Sequence, residues 1–169
     1  SRCLPCRGPN SKGLPLRTPQ LCATGNLDSW RYVVQSRIPG QQLGESWPTV
    51  SQSARRSILQ EIGLFFAALH RLAAPQTGVL ADSWDEFLSM QTQLCAARQA
   101  SWGVPEEIVS GISECLANSG VSTNSRISLL HADLGGGNVL LESVEDGRYV
   151  AGVIDFGDAR IGDPLYDLI

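Results

Sequence analysis

Residues 129–158 read LLHADLGGGNVLLESVEDGRYVAGVIDFGD, and the alternation of apolar runs with polar turns in this stretch decides the fold. One apolar run ends at Leu130, a second begins at Val139, and a third ends at Ile154. The second and third runs are separated by Glu145-Asp146-Gly147, so they are predicted to pair as a hairpin. This arrangement would bring the polar loops that follow Leu130 and Ile154 to the same end of a small sheet.

Three side chains on these two loops suit a divalent cation and a phosphate ester: Asp133, Asn138 and Asp155. Phosphoryl transfer depends mainly on positioning and charge neutralisation. Asp133 is predicted to accept the proton of an acceptor hydroxyl, and Asn138 and Asp155 are predicted to bind Mg²⁺, which prefers oxygen ligands. Alone, an Asp-Phe-Gly is usually a turn and an Asp–Asn pair usually caps a loop. Their occurrence together, in order around a predicted hairpin, favours phosphoryl transfer.

His131 begins the ordered pattern that contains these residues. It reads His131-Ala132-Asp133, then Asn138 five residues after the aspartate, then Asp155-Phe156-Gly157. His-x-Asp-x-x-x-x-Asn followed by Asp-Phe-Gly is the catalytic-loop signature of kinase-like folds. We interpret His131 as a structural hydrogen-bonding group that holds the loop, rather than as a proton carrier.

At these residues the chain resembles the aminoglycoside phosphotransferase family, the small-molecule branch of the kinase-like superfamily. Ala132 stands where protein kinases usually carry an arginine that reads a phosphorylated activation loop. Asp163-Pro164-Leu165-Tyr166-Asp167 is similar to the Asp-Pro-x-x-Asp pattern of this family, in which Asp167 braces the catalytic loop. It follows Gly157 so closely that no long activation segment fits, which disfavours a protein kinase.

The resemblance implies an α+β, protein-kinase-like fold, mostly the helical C-terminal lobe with a catalytic hairpin. Residues 1–17 hold many prolines and glycines and are predicted to be irregular. Residues 18–169 are predicted to form a partial phosphotransferase domain. Within it, residues 18–38 would be the last strands of the N-terminal lobe and the hinge, and residues 39–169 the C-terminal lobe.

The resemblance also implies a nucleotide site. Gln35, Ser36, Arg37 and Ile38 are interpreted as the hinge, whose main-chain groups would bind the adenine of ATP; an ordinary edge strand is the alternative. The only lysine, Lys12, lies among Gly and Pro residues, and no Gly-rich phosphate loop is recognisable. We therefore expect a fragment that lacks most of the N-terminal lobe and that is inactive alone.

Three helices are predicted between the hinge and the catalytic strand. Apolar residues at three- and four-residue steps indicate a helix over 53–72 with Ser51 or Ser53 as its cap. Two more helices are predicted over 84–99 and 105–118, a region that helps to form the acceptor pocket in related enzymes. His70 is expected to cap carbonyls or interact with the dipole at the end of the first helix.

Composition narrows the class of protein. The chain has 169 residues, 43% of them hydrophobic, and a formal net charge of −4, which argues against a nucleic-acid binder because such proteins normally carry a basic face. Five cysteines at irregular spacing favour reduced thiols over a zinc site or a disulfide framework. No signal peptide or membrane span is recognisable, so a cytoplasmic protein is predicted, of undetermined oligomeric state.

The sequence thus favours an ATP- and Mg²⁺-dependent phosphotransferase that acts on a hydroxyl of a small molecule. The alternative is a non-catalytic kinase-like binding module, suggested by the missing phosphate loop and lysine. The run Gly135-Gly136-Gly137 has two interpretations. The glycines either loosen the catalytic loop or let backbone N–H groups approach a phosphate closely.

Overall fold

A computed structural model of the chain describes residues 13–73, 83–118, 127–144 and 147–168. The strands are β1 Leu21–Leu27, β2 Trp30–Gln35, β3 Gln41–Gln42, β4 Ser128–Leu130, β5 Val139–Val144, β6 Gly147–Val153 and β7 Arg160–Gly162. The helices are α1 Leu43–Ser46, α2 Gln52–Leu69, α3 Trp84–Ser101 and α4 Glu106–Asn118, with 3₁₀ turns over Trp47–Thr49 and Pro164–Leu168. The predicted α+β class is confirmed.

The strands form three antiparallel groups. β1 pairs with β2, β5 lies between β3 and β6, and β4 pairs with β7. The predicted catalytic hairpin is confirmed, because β5 and β6 pair with Val139 opposite Val153. Its turn residues Glu145 and Asp146 lie outside the described residues. Strand β4 does not join the hairpin's sheet, and the pairing of Leu129 with Ile161 was not anticipated from the sequence.

The main core lies between α2 and the hairpin. α2 begins after Ser51, whose Oγ accepts a hydrogen bond from the N–H of Ala54 at 3.2 Å, so one of the two predicted caps is observed. The buried residues of α2 are Ile58, Phe65, Phe66 and Leu69. Their spacing places them on one face of a helix, against Val139, Leu141, Val150 and Val153. The helix ends at Leu69, three residues before the end that was predicted at Leu72.

A smaller aromatic cluster joins α3 to the last 3₁₀ turn. The rings of Trp84 and Phe87 stack at 5.5 Å, and the Tyr166 ring packs edge-on against both, at 5.6 and 5.4 Å. Leu130, which is fully buried, completes the cluster from β4. α3 begins with a capping box formed by Ser83 and Glu86. The cluster therefore fixes the position of Asp167, the residue after Tyr166, relative to the end of β4.

The segment before β1 is attached to the hairpin through Arg17. The Arg17 carbonyl accepts a hydrogen bond from the N–H of Val153 at 2.9 Å, and its Nε donates to the Ala151 carbonyl at 3.0 Å. Its Nη2 lies 2.9 Å from Oε2 of Glu142, which also accepts a hydrogen bond from the Tyr149 hydroxyl at 2.8 Å. The Tyr149 hydroxyl, and then the Arg17 guanidinium, lower the pKa of Glu142.

The β1–β2 hairpin differs from the rest because its apolar side chains are exposed. Leu27 and Trp30 are 69% and 78% exposed, and every residue of β2 is exposed, so the weak alternation in its sequence does not separate a buried face.

Cys22 on β1 is disulfide-bonded, and the expectation of reduced thiols is wrong there, whereas Cys95 and Cys115 are free. None of the described helices has the length and apolar character needed to span a membrane.

Substitution of Gly162 tests the packing of α3 on β7. A Cβ at Gly162 would overlap the indole ring of Trp84, so Gly162→Ala is expected to destabilise the chain by about 1–3 kcal/mol, as overpacking does. Gly63→Ala is the matched control, because the added methyl group would have no atom within 4 Å apart from adjacent residues and the backbone of its own helix, and the change is expected to stabilise α2 by about 0.5–1 kcal/mol. Urea unfolding followed by circular dichroism measures both. Equal stability of Gly162→Ala and wild type would contradict the described packing.

Candidate active site

Two loops that lie side by side form the candidate site. The first runs from the end of β4 to β5 and contains Asp133 and Asn138, and the second runs from β6 to β7 and contains Asp155. The N–H of Ile154 donates to the carbonyl oxygen of Asn138 at 2.9 Å, which joins the end of the first loop to the start of the second. The carboxyl-bearing residues Asp133 and Asp155 are exposed and Asn138 is half-buried.

Asn138 holds Asp133 through its side-chain amide. Its Nδ2 lies 2.7 Å from the carbonyl oxygen of Asp133 and 3.1 Å from the Asp133 carboxylate oxygen Oδ2. Both partners can only accept, so the nitrogen of the amide must face them. The amide oxygen Oδ1 therefore points away from Asp133, and it makes no hydrogen bond within the described residues. That oxygen is available as a ligand.

Each loop contains one non-glycine residue in the left-handed backbone region. Ala132 has a φ of 67°, and Asp155 has a φ of 63°. Such a conformation costs of order 1–3 kcal/mol for an L-residue and persists only where neighbouring contacts fix it. On the second loop one such contact is visible, because Oδ1 of Asp155 accepts a hydrogen bond from the N–H of Gly157 at 3.3 Å.

His131 is fully buried and bonds to both loops. Its Nδ1 accepts a hydrogen bond from the N–H of Asp133 at 3.3 Å, and its Nε2 lies 3.0 Å from the Ile154 carbonyl oxygen. A backbone N–H can only donate and a carbonyl can only accept, so the proton is on Nε2. The His131 ring also packs on Phe156, with centroids 4.6 Å apart. With both nitrogens engaged, the ring joins the loops of Asp133 and Asp155.

Asp167 lies beneath the first loop with a fully buried side chain. Its Oδ1 accepts a hydrogen bond from the N–H of Ala132 at 2.8 Å, and its Oδ2 accepts one from the N–H of His131 at 3.1 Å. Oδ2 also lies 2.9 Å from Nε2 of His70, at the end of α2. A carboxylate removed from water requires such donors.

The side chain of His70 does not have the partner expected from the sequence. A helix-capping role for this side chain is wrong: the carbonyl of Phe66 is capped by the backbone N–H of His70 at 2.9 Å, and the imidazole bonds to Asp167. Sequence reasoning missed this pair because the two residues are 97 positions apart and neither local pattern refers to the other.

A cleft of about 600 Å³ lies on one side of the loops, and the proposed hinge residues Gln35, Ser36, Arg37 and Ile38 line it together with Asp155. The N–H and Oγ of Ser36 are both paired with Gln20, at 2.9 and 2.8 Å. Within the described part of the chain, the backbone groups of Arg37 and Ile38 make no hydrogen bond. They can therefore bond to a ligand in the cleft.

One further cavity adjoins Asp133, and a separate groove follows α3. A cavity of about 330 Å³ is lined by Ala132, Asp133, Leu134, Gly135, Tyr166 and Asp167. A groove of about 430 Å³ follows α3 and is lined by Leu88, Gln91, Thr92, Cys95, Arg98, Gln99, Trp102 and Tyr166. Tyr166 lines both. Trp102 lies in the groove, whereas Asp85 and Glu86 line a separate depression on α3.

The three glycines of the first loop have different surroundings. The carbonyl of Gly136 accepts a hydrogen bond from the N–H of Gly44 in α1 at 2.8 Å, and a Cβ on Gly136 would lie 3.0 Å from that nitrogen. No atom lies within 4 Å of a Cβ placed on Gly135 or Gly137, and no member of the triplet has a positive φ. Close contact with α1 therefore explains why residue 136 is a glycine. Neither the loosening of the loop nor the approach to a phosphate, the two interpretations of the sequence, included this contact.

The donor atoms of the site suit a magnesium ion. Oδ1 of Asn138 and the Asp155 carboxylate are hard oxygen donors on adjacent loops. No cluster of three or more His, Cys, Asp or Glu residues in the described ranges could hold a metal ion. A cation here would have two protein side-chain ligands, with the other positions left for phosphate oxygens and water, which is the usual arrangement for Mg²⁺.

Comparison with known proteins places the chain in a family. A profile described as "Phosphotransferase enzyme family" matches residues 10–169. Viomycin phosphotransferase of Streptomyces vinaceus is 31% identical over 166 residues, which cover 92% of this chain and 55% of that protein. The chain therefore spans about half the length of this relative.

Solved structures show the same fold. The GDP complex of wild-type aminoglycoside 2'-phosphotransferase-IIIa matches with a TM-score of 0.70 at 23% identity, over 92% of this chain and 55% of that one. The streptomycin–ATP–APH(2'')-IIa ternary complex matches with a TM-score of 0.60 at 22% identity, over 91% and 52%. The predicted protein-kinase-like fold is confirmed. The chain belongs to the aminoglycoside phosphotransferase family of phosphotransferase enzymes.

Proposed function

We propose that this protein transfers the γ-phosphoryl group of ATP to a hydroxyl group of a small molecule, with Mg²⁺ as cofactor. The observation that carries the proposal is the position of two carboxylates on adjoining loops. Asp155 lines the cleft that contains the hinge residues, and Asp133 lines the cavity next to Tyr166. A nucleotide bound in the cleft would direct its phosphates toward Asp155, and an acceptor in the cavity would meet Asp133.

Asp133 is proposed as the catalytic base. The acceptor oxygen attacks the γ-phosphorus, the bond from that phosphorus to the bridging oxygen of ADP breaks, and the hydroxyl proton passes to the Asp133 carboxylate. The hydrogen bond from Asn138 to Oδ2 orients this carboxylate at 3.1 Å. His131 fixes the backbone of Asp133 and transfers no proton in this scheme, because both of its ring nitrogens are engaged in hydrogen bonds to the backbone.

Asn138 and Asp155 are the residues that would hold Mg²⁺. When bound, the ion neutralises charge on the phosphate oxygens. The left-handed conformation of Asp155 and its bond to the N–H of Gly157 fix one carboxylate oxygen. The other carboxylate oxygen makes no hydrogen bond within the described residues and is available to the cation. In this proposal the amide of Asn138 has two roles: its nitrogen orients Asp133, and its oxygen would be a ligand of Mg²⁺.

The nucleotide is proposed to be ATP, bound through main-chain groups of Arg37 and Ile38. Structural neighbours were solved with GDP, ADP or ATP, so the family fold accepts either purine. The side chain of Ile38 is buried against Leu140 and Ala151, which fixes the backbone of the proposed hinge. GTP is the competing donor, and the thermal-shift experiment below compares the two nucleotides.

The acceptor is proposed to lie in the cavity at Asp133 and to extend past Tyr166 into the groove along α3. Among the described residues that line this groove, Arg98 is the one with a charged side chain, and Trp102 is 73% exposed. Streptomycin and gentamicin were bound in structures of neighbouring proteins. For this protein the proposal extends only to a hydroxyl-bearing small molecule.

A non-catalytic binding module is the second candidate. The observation that favours it is in the sequence: the only lysine, Lys12, lies among Gly and Pro residues, and no Gly-rich phosphate loop is recognisable. The measurements below separate the two candidates, because a module without a nucleotide site neither turns over ATP nor gains stability from it.

Removal of the base should abolish transfer without abolishing nucleotide binding. In the full-length protein, Asp133→Asn is expected to lower kcat by about 10²–10⁴-fold because no carboxylate remains to accept the proton. Transfer from radiolabelled ATP to a panel of hydroxyl compounds, viomycin and aminoglycosides included, measures it. Asp158→Asn is the matched control, because Asp158 lies on the second loop with a side chain that is 66% exposed. Equal turnover by Asp133→Asn and wild type would remove Asp133 from the mechanism.

Stabilisation by the nucleotide should depend on magnesium through Asp155. At a ligand concentration about 100 times Kd, Mg·ATP is expected to stabilise the folded protein by about 2.7 kcal/mol, and the Mg²⁺-dependent part is expected to vanish in Asp155→Asn. Thermal unfolding with ATP, GTP and EDTA measures this, with Asp158→Asn again as control. No Mg²⁺-dependent stabilisation by either nucleotide would favour the binding module, and a larger shift with GTP would identify GTP as the donor.

The rate at which the Cys95 thiol is alkylated reports whether a ligand occupies the α3 groove. This thiol is free, half-buried and lines the groove, whereas Cys115 is free and exposed on α4. The acceptor that supports turnover is expected to slow alkylation of Cys95 by iodoacetamide and to leave Cys115 unchanged. Mass spectrometry of the two peptides measures both rates in one sample. Unchanged alkylation of Cys95 at a saturating acceptor concentration would place the acceptor elsewhere.

A further inference from the structure

We propose that Glu61 is a positioning residue for the metal site, because it holds a bulge in β6 that sets Asp155 beside Asn138; the inference rests on the proposed function. Glu61 lies in α2 and lines neither the nucleotide cleft nor the cavity at Asp133. Its Oε2 accepts a hydrogen bond from the backbone N–H of Val150 at 3.1 Å. This bond joins α2 to the strand that leads into Asp155.

The hairpin of β5 and β6 contains one extra residue in β6. Leu140 lies opposite Gly152, and Leu141 lies opposite Val150. Ala151 therefore has no partner of its own in β5, which makes it the extra residue of a β-bulge. Bulges are common next to active sites, where they change the direction of the side chains that follow.

The packing of β6 shows the effect of the extra residue. In a regular strand, residues an odd number of positions apart lie on opposite faces. Val150 and Val153 are three positions apart, yet both pack in the core between α2 and the hairpin. Ala151 packs instead with Ile38 and Leu140 on the side of the proposed hinge. The bulge is therefore required for the observed core.

The same extra residue sets the spacing of the two proposed ligands of Mg²⁺. The N–H of Ile154 bonds to the carbonyl of Asn138, which places Asp155 next to Asn138. If the pairing of Leu141 with Val150 continued without a bulge, Val153 would lie opposite Asn138. Asp155 would then move along the strand by one residue, about 3.4 Å. Mg²⁺ binds its ligands at about 2.0–2.1 Å in nearly ideal geometry, so this shift would separate the two ligands.

Partners outside the sheet hold the bulge. β6 is the edge strand of its sheet, so backbone groups on its outer side need partners elsewhere. The N–H of Val150 bonds to Glu61, and the carbonyl of Ala151 accepts from Nε of Arg17 at 3.0 Å. Val150 is 3% exposed and Glu61 is half-buried. Water therefore has little access to this N–H, and loss of the Glu61 oxygen would leave a buried donor unsatisfied.

A purely structural role is the competing interpretation. Glu61 would then serve only to attach α2 to the hairpin, and its loss would lower the stability of the whole core without a specific effect on the metal site. The positioning role predicts in addition a local effect at Val150 and Ile154 and a weaker use of Mg²⁺. Both effects should be restored by a side chain that supplies only an acceptor oxygen.

The test compares Glu61→Met, which removes the acceptor oxygen, with Glu61→Gln, which retains one at the same reach. Methionine and glutamine are about as favourable in a helix as glutamate, so helix propensity is held constant. Gln60→Met is the matched control, because it introduces the same side chain at the neighbouring, exposed position of α2.

Amide hydrogen exchange of the full-length protein, followed by NMR, is the first readout. In Glu61→Met the amides of Val150 and Ile154 are expected to exchange about tenfold faster or more, with the amides of α4 unchanged. Glu61→Gln and Gln60→Met should resemble wild type. Unchanged exchange at Val150 and Ile154 in Glu61→Met would overturn the proposal.

The dependence of phosphoryl transfer on Mg²⁺ is the second readout. Glu61→Met is expected to raise the Mg²⁺ concentration for half-maximal transfer by about tenfold, with KM for the acceptor unchanged, and Glu61→Gln to recover most of the loss. In the Asp155→Asn background, Glu61→Met should have little further effect, because the ligand that it positions is already gone. A normal Mg²⁺ dependence in folded Glu61→Met, or full additivity with Asp155→Asn, contradicts the positioning role.

Two further arms separate the possible failures. Glu61→Asp carries a carboxylate that is one methylene shorter and therefore has the same expected outcome as Glu61→Met, so the test stands even if the methionine variant does not fold. If the wild-type protein has no phosphotransferase activity, the proposed function fails, and hydrogen exchange still decides whether Glu61 controls the backbone before Asp155.

Discussion

The arrangement of the site depends on one buried imidazole that bonds to two loops at once. His131 accepts from the N–H of Asp133 and donates to the carbonyl of Ile154, over distances of 3.3 and 3.0 Å. The imidazole is fully buried, so the loss of either bond would leave a ring nitrogen without a partner away from water, which is costly. Without this ring the first loop would have a single remaining bond to the second, from Ile154 to the carbonyl of Asn138.

The two hydrophobic clusters place this imidazole and its support. The core between α2 and the hairpin brings the end of α2, with His70, beneath the first loop. The aromatic cluster of Trp84, Phe87 and Tyr166 fixes the turn that carries Asp167. The strain of the left-handed Ala132 is thus offset by contacts that originate in α2 and the last 3₁₀ turn, far from Asp133 in sequence. Packing and active-site geometry are therefore linked through Asp167.

The sequence predicted the features that depend on local pattern. The helix begun by Ser51 and the hairpin of β5 and β6 follow from periodicity and turn residues, and the ordered motif led to the family. Features set by distant partners were not predictable: the pairing of β4 with β7, and the bond between His70 and Asp167. Helical periodicity alone does not decide burial either, since Leu59 is an apolar residue of α2 and is 57% exposed.

The central claim is that Asn138 and Asp155 converge on one metal–nucleotide site. Paramagnetic relaxation by Mn²⁺ in place of Mg²⁺ measures this most directly, with ATP bound and the backbone amides of the protein assigned by NMR. The account predicts that the amides of Asn138, Asp155 and Phe156 broaden strongly, whereas those of α4 remain sharp. Broadening centred on the acidic start of α3, at Asp85 and Glu86, with sharp signals from Asn138 and Asp155, would contradict it.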